Sequence, residues 1–201
     1  MDPVSASTAC VLLAAGAGKR FQGTAHKLLT EIPTSRGHEA IVLASARAMV
    51  TSGAGRCAVV TGAVDLTAVL APLGAGLHIE HNRDWETGMR SSVLVAIHIA
   101  REWGCTQVII GLGDQPFVDS STWWALAVAD SPLAVATYAG RRGNPVKLAA
   151  STWDELIAEN GDPDTGARSL VSRHPELVAE VPSSGNDRDI DTLEDLPPWK
   201  H

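Results

Sequence analysis

No apolar run in this chain approaches the roughly 20 residues needed to cross a bilayer, because glycine, proline or charge breaks each one early. A membrane-spanning protein is therefore not expected. Positive charge is also in short supply: 16 Lys and Arg stand against 23 Asp and Glu, a formal net charge of -7. Without a basic surplus nothing neutralises a phosphate backbone, so nucleic acids and anionic membrane surfaces are not expected as partners. Cysteine is sparse: Cys10, Cys57 and Cys105 are odd in number, far apart and in no metal-ligand spacing, and they read as buried, reduced thiols. The seven histidines show no paired metal spacing either, which leaves zinc chemistry without support. Met1 to Thr8 has no basic region and begins with Asp2 and Pro3, so it does not read as a secretory signal, and a cytoplasmic address is expected.

What the chain does contain is length and apolar content for one sizeable core: 201 residues, 45% of them hydrophobic. Short, β-branched apolar stretches recur at Ala9–Leu13, Cys57–Thr61, Leu77–Glu80, Gln107–Leu112, Leu133–Tyr138 and Leu177–Val181. They do not alternate with polar residues, the signature of strands buried on both faces. Segments with helical spacing lie between them: Glu39–Val50, Leu66–Leu73, Met89–Trp103, Ser121–Ala129, Thr152–Glu159 and Ala167–Arg173. The alternation predicts a single α/β domain over residues 1–201, a three-layer α/β/α Rossmann-like sandwich with a mostly parallel sheet. In such a fold the loops leaving the carboxyl ends of strands build the ligand site. The irregular stretches Arg20–Arg36, Asn82–Gly88, Ala139–Pro145, Gly161–Thr165 and Ser183–Asp191 are therefore where chemistry is to be sought.

Directly after the first expected strand comes Leu13-Ala14-Ala15-Gly16-Ala17-Gly18-Lys19-Arg20-Phe21, with Lys27 beyond it. Small residues let backbone N–H groups approach phosphate oxygens, while Lys19, Arg20 and Lys27 supply positive charge. The run is neither the P-loop pattern nor the G-x-G-x-x-G dinucleotide fingerprint. It resembles the L-A-A-G-x-G-x-R-[MF] signature of nucleotidyltransferases with a single-domain GT-A-like fold.

Further segments extend the likeness to the molybdenum-cofactor cytidylyltransferase branch. Asn82, Trp85 and Gly88-Met89-Arg90-Ser91-Ser92 resemble N-x-x-W-x-x-G-M-x-x-S; Gly113-Asp114-Gln115-Pro116 carries D-Q-P; Arg142-Gly143-Asn144-Pro145 resembles R-G-x-P. Gly161-Asp162 with Gly166-Ala167-Arg168 is similar to G-D-x-G-A-R, and Asp189-Ile190-Asp191-Thr192-Leu193-Glu194-Asp195 to D-I-D-T-P-E-D. Six ordered matches cover nearly the whole chain. Three departures stand out: Phe21–His26 lengthens the spacing to Lys27 by about two residues, Pro163-Asp164-Thr165 interrupts the fifth motif, and Leu193 replaces a proline.

The resemblance implies transfer of a nucleotidyl group from CTP to molybdopterin-molybdenum, with release of pyrophosphate. In-line attack at the α-phosphorus needs positioning and electrostatic stabilisation, which a hard divalent ion, Mg²⁺, shares with the protein. Asp114, at the end of the most apolar strand, is the first expected metal ligand. Asp191 is the second, with Asp189 as the fallback, although Asp191 can alternatively cap the last helix with Glu194. Arg20, Lys27 and Asp114 are the expected catalytic groups. The loop from Leu13, Ala14 and Ala15 through Gly16, Gly18 and Lys19 is expected to hold the nucleotide, with Gly88, Met89 and Ser91 near base or ribose; Ser91 reads equally as a first-turn helix residue. Gln115, Arg142, Asn144 and Arg168 are the expected acceptor contacts. Trp123 and Trp124 read as core or interface residues. Two other functions fit the same residues: a guanylyltransferase or other NTP transferase with a different phosphorylated acceptor, and a noncatalytic nucleotide- or cofactor-binding chaperone for a molybdenum hydroxylase.

Overall fold

The computed structural model describes residues 3–23, 25–159, 164 and 166–197. A short helix α1 (Pro3–Ser7) leads into β1 (Thr8–Ala14), and the chain then forms a small hairpin of β2 (Glu31–Thr34) and β3 (Gly37–Ala40). There follow α2 (Ile41–Thr51), β4 (Arg56–Thr61), α3 (Thr67–Leu70), β5 (Leu77–His81), α4 (Met89–Glu102) and β6 (Gln107–Leu112). The second half runs α5 (Ser120–Ala127), β7 (Leu133–Tyr138), β8 (Arg141–Ala149), α6 (Trp153–Ala158), α7 (Arg168–Arg173) and β9 (Val178–Pro182).

Seven strands form one sheet in the order β5-β4-β1-β6-β8-β7-β9. Only β8 runs against its neighbours, pairing antiparallel with both β6 and β7. The sheet is therefore mostly parallel, and helices cover both of its faces. Along β1, Cys10, Leu12 and Ala14 face one core with α2, α3 and α5, while Ala9, Val11 and Leu13 face the other with α4, α6 and α7. All seven β1 residues are buried, which is why apolar side chains occur there without alternation.

Two features of the architecture were not anticipated. The β2–β3 hairpin is the first: β2 lies within the stretch that reads as loop, and β3 takes Glu39 and Ala40 from the start of the expected helix, in strands of only four residues each that carry Pro33, Gly37 and His38. Strand β8 contains Gly143 and Pro145, which ordinarily argue against a central strand. The register resolves this conflict: Val135 faces Val146 and the next residue, Ala136, faces Gly143, so Asn144 and Pro145 bulge out of the ladder. A bulge removes the demand for the N–H that proline lacks. Trp123 is core at 2% exposure, whereas its neighbour Trp124 stays on the surface. The three cysteines are buried and free, as expected. Among the described residues, no helix is long and apolar enough to cross a membrane.

Candidate active site

The glycine-rich loop leaves β1 at the carboxyl edge of the sheet and is held from both sides. Gly113 donates to Leu13 O at 2.9 Å and Ala63 donates to Ala15 O at 3.0 Å. Gly62 allows this approach: a Cβ there would lie 2.6 Å from Ala15 O and 2.7 Å from Trp85 Cβ. Phe21 closes the turn by donating its N–H to Gly18 O at 2.9 Å and buries its ring in the core. His26 pins the far side, accepting at Nδ1 from Leu28 N–H at 3.3 Å, so that Nε2 carries the proton facing Gly16 O at 3.2 Å. Burial, aided by the Lys27 charge, holds the His26 pKa below its usual value and keeps the ring in this neutral form. Sequence reading passed over His26; its place in the lengthened Phe21–His26 segment was the available signal. Thr24 of that segment lies outside the described residues.

Beneath the loop sits a charge cluster. Lys27, in a single 3-10 turn, places its Nζ 2.6 Å from Asp114 Oδ2 and 2.9 Å from Asp191 Oδ1. Arg20 bonds the other Asp191 oxygen at 2.8 Å. Burial opposes the Lys27 charge, but the two carboxylates outweigh it and raise the pKa. Among the described residues, the buried Asp114 Oδ1 has no hydrogen-bond partner. Asp189 is driven up to about 6, first by burial and then by the Asp114 and Asp191 charges.

The C-terminal segment brings Asp191 to this place. It crosses beside the residues after β6, where Asn186 donates to Phe117 O and Ile190, fully buried, donates to Asp114 O at 3.1 Å. Asp191 does not cap the last turn. Thr192 does, in a capping box with Asp195, whose Oδ2 accepts from the backbone N–H of Asp191 and Thr192 and from the Thr192 hydroxyl. The Asp191 carboxylate is thereby left to face Lys27 and Arg20.

The opposite wall is the start of α4. Gly88, at φ 114°, turns the chain into that helix from a backbone region closed to most side chains. The buried Asn82 donates to the hydroxyls of Ser91 at 2.8 Å and Ser92 at 2.9 Å. Ser91 also donates to Gly88 O at 2.8 Å, while Ser92 lines the cavity.

Two connected cavities result. The larger, of about 770 Å³, is bounded by Leu13 through Arg20, by Lys27, Trp85, Glu86, Gly88, Met89 and Ser92, and by Asp114 and Asp191. The smaller, of about 250 Å³, adds Asn144, Arg168 and Asp189, with an apolar wall of Val93, Ile110, Val146 and Ala167. Arg20, Lys27, Asp114 and Asp191 border both cavities. The structure thus gathers nearly every anticipated nucleotide residue around one cavity, Ser91 sitting just behind its wall. Of the anticipated acceptor contacts, Asn144 and Arg168 border the smaller cavity. Gln115 is buried, donating to Asp187 O at 2.8 Å, and Arg142 pairs with Glu180 at 2.8 Å; neither borders either of these two cavities. Gly161, Asp162, Pro163 and Thr165 of the fifth motif lie outside the described residues. Ser92, part of the Gly88–Ser92 segment expected near base or ribose, borders the larger cavity. Glu86 and Asp164 border it without having been singled out: nothing in the residue types sets Glu86 apart, and Asp164 belongs to the interruption of its motif.

A parallel-sheet domain with this loop and these carboxylates at one carboxyl edge is a nucleotidyltransferase. The chain belongs to the family of MobA-like NTP transferase domains, which it matches over residues 10–178. It is 32% identical over 198 residues to nicotine blue oxidoreductase of Paenarthrobacter nicotinovorans, across 92% of this chain and 93% of that protein. Its fold is similar to that of a nucleotidyl transferase from Methanothermobacter thermautotroptrophicus, with a TM-score of 0.74, 21% identity and 94% of each chain covered. The Rv0371c protein of Mycobacterium tuberculosis, in a complex with manganese, superimposes with a TM-score of 0.71 at 24% identity, over 94% of this chain and 95% of that one.

Proposed function

We propose that this enzyme transfers CMP from CTP to molybdopterin-molybdenum in the cytoplasm and releases pyrophosphate, a chemistry that uses both cavities at once. The observation that carries the reading is the position of Arg20, Lys27, Asp114 and Asp191 on the border shared by the two cavities. With CTP in the larger cavity and the acceptor in the smaller, the α-phosphorus lies between them. An acceptor phosphate oxygen forms the new bond to that phosphorus, the bond to the β-phosphate oxygen breaks, and the electron pair leaves with pyrophosphate.

The residues present suit a hard divalent cation. Asp114 and Asp191 offer carboxylate oxygens, one of them buried and unpartnered among the described residues, and oxygen ligands are what Mg²⁺ prefers. The manganese complex of the Rv0371c protein supports a divalent ion in this fold. When bound, the ion offsets charge on the phosphate oxygens. Backbone N–H groups from Ala15 to Gly18 hold the β- and γ-phosphates, and Lys27 and Arg20 neutralise charge on the departing pyrophosphate. Arg168, which borders the smaller cavity as Asn144 does, receives the acceptor's phosphate. Trp85 and Glu86 border the base end, where a carboxylate accepts from an exocyclic amine such as that of cytosine.

The oxidoreductase name of the curated relative favours a second reading, in which a dinucleotide's pyrophosphate occupies the same loop. Hydride transfer has no need of two carboxylates bridged by a lysine, so nucleotidyl transfer is preferred. Delivery of the product to a molybdenum hydroxylase is the partner this function implies. The test is competition among CTP, UTP, GTP and ATP with molybdopterin-molybdenum as acceptor, read by pyrophosphate release, alongside oxidation of NADH and NADPH with a dye acceptor. CTP should lead in kcat/KM by at least about tenfold, roughly 1.4 kcal/mol of discrimination. A GTP preference would remove the cytidylyl assignment, and NADH turnover without pyrophosphate release would favour the reductase.

A further inference from the structure

Asp114 and Asp191 come from segments far apart in sequence, yet one ammonium group touches both: Lys27 Nζ lies 2.6 Å from an oxygen of the first and 2.9 Å from an oxygen of the second. Two carboxylates held this close repel each other unless a cation lies between them. The Lys27 side chain is only 11% exposed, so its charge is poorly screened by water, whereas the Arg20 side chain on the outer Asp191 oxygen is 78% exposed. Lys27 is thus the principal counter-ion of the pair, and it stands where a bridging cation would stand.

We propose that Lys27 is a built-in cation that holds the Asp114–Asp191 pair together and yields its place to a divalent ion only when a triphosphate receives its ammonium group. The proposal rests on the reading of these two aspartates as metal ligands. A divalent ion within bonding distance of both carboxylates would lie within a few ångströms of the ammonium, and like charges that close cannot share the site. Lys27 must therefore move. The route lies along the glycine-rich loop: a Cβ on Gly18 would sit 3.1 Å from Lys27 Cγ and 3.4 Å from Cδ, so the lysine stem runs against the bare backbone of the phosphate cradle. Its four-carbon stem carries the ammonium from the carboxylates into the larger cavity, which Lys27 also borders. A metal then enters readily only with the nucleotide, and by linkage each strengthens the other's binding equally.

Direct binding measurements separate this from a purely catalytic lysine. Mn²⁺ affinity is read from the paramagnetic resonance signal of free Mn²⁺, without and with a nonhydrolysable CTP analogue, for the wild type, Lys27→Met and Asp114→Asn. Without nucleotide, Lys27→Met should bind Mn²⁺ at least about tenfold more tightly than the wild type, and the analogue should strengthen Mn²⁺ binding by about tenfold in the wild type but much less in the variant. Lys27→Gln, which keeps a polar contact without the charge, serves if Lys27→Met fails to fold. Equal or weaker Mn²⁺ binding by the folded Lys27 variant, with binding lost in Asp114→Asn, would overturn the proposal and leave the metal ligands standing. Mn²⁺ binding by Asp114→Asn equal to the wild type would remove the ligand assignment, and the proposal with it.

Discussion

Gly62 and Asp195 show how much of the site depends on residues that never touch a ligand. A methyl group at position 62 would collide with the carbonyl of Ala15 and with the first atoms of the Trp85 side chain, and neither can rotate away. Gly62→Ala should therefore push the glycine-rich loop outward, at a stability cost of about 1–3 kcal/mol. The KM for CTP should rise severalfold while Mn²⁺ binding at the carboxylates persists; an unchanged KM would show that the loop does not depend on this close approach. Asp195 acts through its neighbour. The Thr192 hydroxyl, followed by the backbone N–H groups of Thr192 and Asp191, holds its pKa down at about 2. A depressed carboxylate contributes stability above its ordinary pKa, near 4, and loses that contribution as pH falls through the folded value. Thr192→Val should accordingly be less stable than the wild type at neutral pH, with the gap between their denaturant midpoints closing as pH falls from about 4 to about 2. A gap independent of pH would mean that the capping box does not set the Asp195 charge.

At the scale of elements, α4 and α6 are joined by one side chain. Arg90, in the first turn of α4, donates from Nη2 to the carbonyls of Leu156 at 2.8 Å, Ile157 at 3.0 Å and Glu159 at 2.5 Å, satisfying the end of α6. The Glu159 carboxylate accepts in turn from Ser169 Oγ at 2.8 Å and Arg173 Nη2 at 3.0 Å in α7. Glu159 is therefore held by the helix that also begins the nucleotide wall, and through its carboxylate it holds the start of α7, where Arg168 lies. Arg90→Met keeps the side-chain length but leaves these carbonyls without their donor, and should cost about 1–3 kcal/mol. The KM for the acceptor should rise several times more than the KM for CTP. Equal rises in both would show that Arg90 supports the fold in general and not the acceptor side.

Considered whole, the molecule presents a cleft whose walls come from segments spread along the chain, from Leu13 to Asp191, so ligands that bridge those segments should stabilise the entire fold. A ligand present at about 100 times its Kd adds about 2.7 kcal/mol, and for a chain of this length each kcal/mol moves the Tm by roughly 2–4 °C. CTP with Mg²⁺ should raise the Tm by roughly 5–10 °C under those conditions. Mg²⁺ without nucleotide should do far less, because Lys27 already neutralises the carboxylate pair. Chelation with EDTA should return the CTP-bound protein most of the way to the unliganded Tm. An equal shift with Mg²⁺ by itself would contradict the coupling of metal to nucleotide.

Local patterning was sufficient for the parallel strands and the larger helices, because burial on both faces leaves a continuous apolar run and helix packing leaves a regular stripe. It was likewise sufficient for the glycine-rich loop, whose small residues and cations follow β1 directly. It was insufficient for β8, since a bulge is a property of the paired strand: the neighbour, and not the residues Gly143 to Pro145 alone, decides whether an N–H is needed. The role of Asp191 was open for the same reason. Its neighbours allowed it either to cap the last turn or to join a metal site, and that choice was made by Thr192 and Asp195 taking the cap and by Ile190 docking on Asp114. Residue types and local spacing follow from the sequence by itself. The meeting of Lys27, Asp114 and Asp191 across separations of 87 and 164 residues belongs to the tertiary structure, because only the packed sheet fixes which distant charges must share one place.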